Sequence, residues 1–415
     1  MARTVVLVGA LDTKGEDFAF VRERLQKHGC RVLLVDTGVL GQPTTPADIG
    51  REAVAEAAGV SLAALVATHD RGAALSAMAR GAAAIVRKLH DEKRIDGIMG
   101  MGGGSGTSVA AAAMRGLPIG FPKLLVSTGA SGDTRSFVGN SDMVLVPSVV
   151  DVAGLNRISR TIYARAADAL SGMVRGVGDA IGGGGRPLIA ATMFGNTTPC
   201  VSRARQRLEE LGYEVLVFHA NGGGRAMEQL IDDGLVDAVL DLTTTELADE
   251  LVGGVRSAGP HRLEAAARRG IPQVVSVGAL DMVNFGGPET IPARLAGRHF
   301  RTHTSLAQLM RTDAAESAEL GRILAEKLNA ATGPVALLLP LRGISALDAP
   351  GEPFDDPVAR TALFDALRTG VDRSKVEVFE VDANINDPEF ADHAVDVLLG
   401  LLPTVAQHVG TPATN

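Results

Sequence analysis

VVLVGALDTKGEDFAFVRERLQKHGCRVLLVDTG, Val5–Gly38, decides the fold. Its β-branched opening breaks at Gly9 into a short polar turn. An amphipathic run then continues to His28, and after Gly29 a second β-branched run, Arg31–Val35, begins. Strand, helix and strand at these lengths make a βαβ unit, whose right-handed crossover sets the two strands parallel. The pattern recurs without a gap in PLIAATMFGNTTPCVSRARQRLEELGYEVLVFHANG, Pro187–Gly222, where Leu208 matches Leu25 and Gly212 matches Gly29. Each half of the chain therefore opens the same way, and the fold class expected is α/β with two Rossmann-like parallel-sheet subdomains.

Working outward, the first half continues with strands expected at Ile95–Met99, Lys123–Ser127 and Met143–Val146, and with helices near Ala73–Leu89, Gly106–Met114 and Asn156–Val174. GVGDAIGGGGR, Gly176–Arg186, lacks apolar periodicity and is about half glycine, the composition of a flexible linker. It sets a nucleotide-binding domain at residues 1–178, a linker at 179–185 and a second domain at 186–409, with the tail Gly410–Asn415 expected to be disordered. In the second half, strands are expected at Pro187–Ala191, Glu214–Phe218, Val236–Leu240, Pro272–Val277, Val335–Leu339 and Val376–Val381.

A formal charge of −8 and a complete lack of Trp argue against nucleic acid as a partner, which calls for clustered cations and stacking surfaces. No apolar run is long enough to span a bilayer, and the N-terminus lacks the cleavage pattern of a signal peptide. The two cysteines, Cys30 and Cys200, fit no metal spacing and accord with a reducing, cytoplasmic setting.

The chemistry centres on IDGIMGMGGGSGTSVAAAAM, Ile95–Met114. A buried strand runs into Gly100, Gly102, Gly103 and Gly104, and an Ala-rich helix starts behind Ser105. Glycines let a ligand approach the backbone, and the helix start offers unpaired N–H groups, so Gly102, Gly103, Gly104, Ser105, Gly106 and Thr107 form an expected phosphate cradle. A bare strand-to-helix turn would need fewer glycines. The loop is no Walker A, since Lys is missing after the last glycine, and it is no clean GxGxxG with an acidic partner.

Three further loops fall at the same sheet edge, where open parallel sheets bind ligands. The first strand delivers Asp12, Thr13 and Lys14, the second Asp36 and Thr37, and the fourth Ser127, Thr128, Gly129, Ser131 and Asp133. Lys14 suits a phosphate, Asp12 a metal or hydroxyl, and Asp36 a ribose; each also serves as a cap or turn residue. In the second half Thr197 stands in place of Lys14 and His219 in place of Asp36. Weak candidates for moving a proton are His261 and Asp281, beside His219 and Asp382. His299 and His303 stand at a helical i, i+4 spacing, but without an HExxH glutamate and flanked by Arg298 and Arg301, so no metal is expected there.

GALDTKGED, DTG, MGMGGGSGT, STGASGD, SVVDVAGLNRIS and SVGALDMVNFG, in that order, resemble the family of uncharacterised bacterial proteins named after the N-terminal ATP-binding domain of the tomato mosaic virus resistance protein. The resemblance runs from Thr4 to about Leu402 and implies two Rossmann-like subdomains, a nucleotide held mainly by the first, and a homodimer. It places the phosphates on Gly102–Thr107, with Asp12–Lys14 and Ser127–Asp133 beside them. RTHTSLAQLMRT departs from the family's pattern at Thr304 and Ser305. Three functions follow as expectations: ATP binding, with Mg²⁺ as a candidate bridge at Asp12 or Asp133; an enzyme acting on a small polar or phosphorylated metabolite at the interdomain cleft; or a nucleotide-gated interaction module.

Overall fold

A computed structural model describes residues 2–176, 185–304 and 306–403, apart from the side chain of His303. The linker expected at 179–185, all but Gly185, and the tail Gly410–Asn415 lie outside the described residues. The chain divides into two compact units, Met1–Gly182 and Gly183–Asn415. Both are Rossmann-like α/β units built on parallel sheets.

Unit 1 runs β1 (Thr4–Gly9), α1 (Leu11–Lys27), β2 (Arg31–Asp36), α2 (Arg51–Ala57), α3 (Leu62–Ala67), α4 (Arg71–Asp91), β3 (Gly97–Gly102), α5 (Gly104–Arg115), β4 (Lys123–Ser127), α6 (Arg135–Val138), β5 (Val144–Pro147) and α7 (Arg157–Gly176). The strands are parallel in the order β2-β1-β3-β4-β5. Alternation along β1 assigns the two faces. Val5 and Leu7 pack into the layer of α1 and α7, while Val6 and Val8 pack into the layer of α2, α4 and α5. The turn after β1 is tight because the ring of Phe18 lies beneath it, so that a Cβ on Gly9 would come within 2.0 Å of the ring.

Unit 2 begins with β6 (Leu188–Met193), α8 (Thr198–Glu210) and β7 (Glu214–His219), the same opening as in unit 1. It continues with α9 (Gly224–Asp232), β8 (Ala238–Thr243), α10 (Glu246–Val252), α11 (Ala265–Arg269), β9 (Gln273–Gly278), β10 (Met282–Phe285), β11 (Phe300–Thr304) and β12 (Ala307–Arg311). After these come α12 (Ala314–Asn329), β13 (Val335–Pro340), α13 (Pro357–Gly370), β14 (Val376–Val381) and α14 (Pro388–Leu401). Its six-stranded parallel sheet is ordered β14-β13-β9-β8-β6-β7. An antiparallel sheet, β10-β12-β11, is added to the expected architecture. That sheet adds Met282–Phe285 as a strand and corrects one expectation: His299–His303 enters β11 rather than a helix, so the i, i+4 helical spacing has no structural counterpart.

Candidate functional site

In unit 1, β1 lies between β2 and β3, and the chain steps from β1 to β2 toward one edge of the sheet and from β3 to β4 toward the other. That reversal opens a crevice at the carboxyl ends of the strands. A cavity of about 490 Å³ occupies it, within the range of small-ligand sites. One wall is polar: Asp12, Thr13 and Lys14 from the β1–α1 turn, Thr37 and Gly38 after β2, and Gly103 to Gly106 at the start of α5. The other is apolar: Val39, Leu40, Ala74, Leu75, Met78 and Val109.

The glycines of the cradle fall into two groups. Gly100 and Gly102 are glycine because α5 packs onto β3: a Cβ on Gly100 would lie 2.3 Å from Ala110 Cβ, and one on Gly102 would lie 2.8 Å from Gly106 Cα. Gly103 and Gly104 have no such reason. A Cβ on Gly103 would meet nothing nearer than Thr128 Oγ1 at 3.8 Å, and one on Gly104 would meet nothing within 4 Å. The missing side chains there leave room on the cavity side of a 12-residue helix, whose first N–H groups have no intrahelical acceptor.

Two cations line the same cavity. Lys14 Nζ donates to the carbonyl of Val152 at 2.6 Å. Arg71, at the start of α4, donates from Nη2 to Ser105 Oγ at 3.1 Å. Sequence reasoning missed Arg71, and the signal available was its place directly after the N-cap Asp70 of a long helix. Asp12 clasps the segment after β2, its Oδ2 accepting from Leu40 N at 2.8 Å and Gly41 N at 3.2 Å. Its buried Oδ1 has no partner.

Asp36 and Thr107 face inward rather than toward the cavity. Asp36 Oδ1 accepts from Leu11 N at 3.0 Å and Gly38 N at 2.8 Å, bracing the two loops from behind. Its side chain is buried, and burial raises its pKa above the ordinary carboxylate value despite those two donors. Thr107 is likewise buried and shares a hydrogen bond of 2.6 Å with Ser127 Oγ, which also accepts from Gly129 N. Thr128, Gly129, Ser131 and Asp133 do not line the cavity. Asp133 is exposed and pairs with Arg135, whose hydrogen bonds lower its pKa to about 2. Asp151, unnoticed in the sequence as a site residue, comes within 4.0 Å of where a Cβ on Gly103 would stand.

In unit 2, His261 is 82% exposed and pairs with Glu264. Asp281 is fully buried, its Oδ2 accepting from Ser345 Oγ at 2.8 Å. Burial, reinforced by Asp348, raises the pKa of Asp281 to about 7, and burial raises that of Asp249 to about 6. An unfolded aspartate releases its proton near pH ~3.9. The folded chain thus holds more protons than the unfolded one above about pH 4, and its stability falls as pH rises toward 7. Thermal denaturation from about pH 5 to 8 should show the midpoint dropping, and Asp281→Asn should flatten the drop. A midpoint that climbs with pH in both proteins would contradict this assignment.

The fold and crevice define a two-unit, Rossmann-like α/β protein with an open glycine-rich site at the switch point of its first unit. Sequence profiles of the uncharacterised protein family UPF0261 match the chain twice, the N-terminal domain over residues 3–178 and the C-terminal domain over residues 186–402, and the chain belongs to that family. It is 48% identical over 403 residues to a UPF0261 protein of Clostridium tetani (strain Massachusetts / E88), covering 97% of this chain and 100% of that one. It is 44% identical over 345 residues to the ToMV resistance protein Tm-1(GCR237) of Solanum lycopersicum, covering 82% of this chain and 46% of that relative. Of solved structures, a UDP-N-acetylglucosamine 2-epimerase aligns with 66% of this chain and 79% of its own at 11% identity, with a TM-score of 0.25. No helix among the described residues is long and apolar enough to cross a membrane.

Proposed function

We propose that unit 1 is a nucleotide-binding unit whose ligand is ATP. The observation that carries this proposal is the division of one cavity into a cradle with two cations and an apolar wall. Phosphates would rest on the N–H groups of Gly103 to Gly106, with Lys14 and Arg71 neutralising their charge. The base would lie against Leu75, Met78 and Val109. Were a Mg²⁺ to accompany those phosphates, Asp12 would be the carboxylate of the cavity wall to hold it. When bound, the nucleotide brings a polyphosphate whose charge this chain's cations and helix dipole stabilise. Asp36 and Thr107, which the sequence alone placed in contact with the ligand, act here as braces that fix the loops.

Calorimetry of the full chain with ATP, with and without Mg²⁺, tests the proposal. Absence of binding at millimolar nucleotide would reject it. Lys14→Ala should weaken ATP by about tenfold, the usual worth of a hydrogen bond to a charged group. The fold should persist, because the main partner of Lys14 is a single carbonyl. Equal affinities in the two proteins would remove Lys14 from the site.

A further inference from the structure

In unit 2, β6 lies between β7 and β8 as β1 lies between β2 and β3, so a second switch point opens beyond β6 and β8. The turn at its edge is Phe194-Gly195-Asn196, which takes the places of Leu11, Asp12 and Thr13 in the internal repeat. A Cβ on Gly195 would meet nothing within 4 Å, so packing does not require glycine there either. Thr197 stands where unit 1 has Lys14, and its hydroxyl is spent on Thr243 at 2.8 Å.

A cation reaches this edge from another element. The guanidinium of Arg256, from the loop after α10, lies over the ring of Phe194, 5.5 Å from its centroid. The buried Nε of Arg256 has no hydrogen-bond partner, and the charge of Arg256 is felt by Asp249. Its backbone N–H donates to Asp249 Oδ1 at 3.0 Å. Asn284, whose side chain is 1% exposed, donates from Nδ2 to Asp249 Oδ2 at 2.8 Å, and its own Oδ1 is unpartnered.

The acids nearby are committed elsewhere. Asp249 serves Asn284 and two backbone N–H groups, and Glu246 serves Arg262, Gly222 and Gly224. His219 packs edge-on to Phe194 at 5.6 Å. Burial, and then the charge of Arg256, hold its imidazole below the ordinary range, so it adds no second cation at neutral pH. A partly buried guanidinium stacked on an aromatic ring, whose charged neighbour, Asp249, already has both its oxygens bonded to Asn284 and backbone N–H groups, is a ready grip for an incoming oxyanion.

We propose that the crevice at Phe194, Asn196 and Arg256 is a second ligand site, for a small molecule carrying a carboxylate or phosphate. Arg256, seated on the ring of Phe194, holds the anion, and the open space beside Gly195 receives the remainder of the ligand. The site belongs to unit 2 and stands independently of ATP binding in unit 1.

Titrations of the full chain with inorganic phosphate and with malonate, in wild type, Arg256→Gln and Arg256→Lys, test this. At least one probe should bind the Gln variant about tenfold or more weakly, with part of the affinity kept by Lys. Which probe is affected tells phosphate from carboxylate. Wild-type crystals soaked in sodium tungstate should show an anomalous peak against the Arg256 guanidinium, a readout that holds even if the Gln variant does not fold. Equal affinities in wild type and Arg256→Gln, or tungstate bound elsewhere with none at Arg256, would overturn the proposal.

Discussion

Arg262→Met should lower the unfolding midpoint of unit 2 steeply at neutral pH, measured by circular dichroism on heating. Arg262 is 1% exposed and lies among three acids. Its Nε donates to Glu246 Oε2 at 2.7 Å, its Nη2 to Asp241 Oδ1 at 2.7 Å, and its Nη1 to both Asp241 Oδ2 and Glu228 Oε1. The acids in turn hold backbone: Glu246 accepts from Gly222 and Gly224, and Glu228 accepts from Leu263, Glu264 and Ala265. Asp241 also accepts from Thr192 Oγ1 at 2.6 Å. Removing one partner of a buried ion pair costs about 3–5 kcal/mol, against a total stability of roughly 5–15 kcal/mol for a domain. Here three carboxylates would be stranded together, so the upper end applies.

Arg262→Lys should rescue little, because a point charge cannot serve Asp241 through two nitrogens and Glu246 through a third. The pH dependence has a definite sign. Stranded acids fold more readily when protonated, so the Met variant should gain stability on acidification. An unchanged melting midpoint at neutral pH would show that the network adds nothing.

The internal repeat explains how much of this was legible. The expected βαβ openings coincide with β1-α1-β2 and β6-α8-β7 because periodicity, a glycine at the turn and β-branched strands are local signals. The crevice lining was partly legible for the same reason: Asp12 to Lys14 and Gly103 to Gly106 follow strands directly. Arg71 was not, because it reaches Ser105 from 34 residues upstream on a helix that nothing local ties to the loop. Asp36 was legible as polar at a strand end, but its inward rotamer depends on Leu11 and Gly38 meeting it. Arg262 reads in sequence as a helix-opening charge, and only tertiary structure brings Glu228, Asp241 and Glu246 around it. The antiparallel β10-β12-β11 sheet escaped notice because β10 pairs across more than twenty residues with β12, and its opening, Met282-Val283-Asn284, sits in a stretch that reads as loop.

Gly104→Asp should leave the fold intact and remove nucleotide binding, a combination that a purely structural role for the loop does not produce. A Cβ at residue 104 meets nothing within 4 Å, so the new side chain has room. It would stand in the first turn of α5, where a carboxylate favours the helix dipole by about 0.3–1 kcal/mol. Stability should therefore be unchanged or slightly raised. The same carboxylate would occupy the space proposed for phosphate and repel it. Like-charge contact costs several kcal/mol, which corresponds to about a hundredfold or greater loss of affinity. Gly102→Ala supplies the opposite case, since its Cβ would stand 2.8 Å from Gly106 Cα. Overpacking of that kind costs about 1–3 kcal/mol, so this variant should melt earlier. Calorimetry with ATP and thermal denaturation on the same samples separate the two effects. If Gly104→Asp bound ATP as wild type does, the start of α5 would not be where phosphate rests, and the open glycines at 103 and 104 would need another occupant.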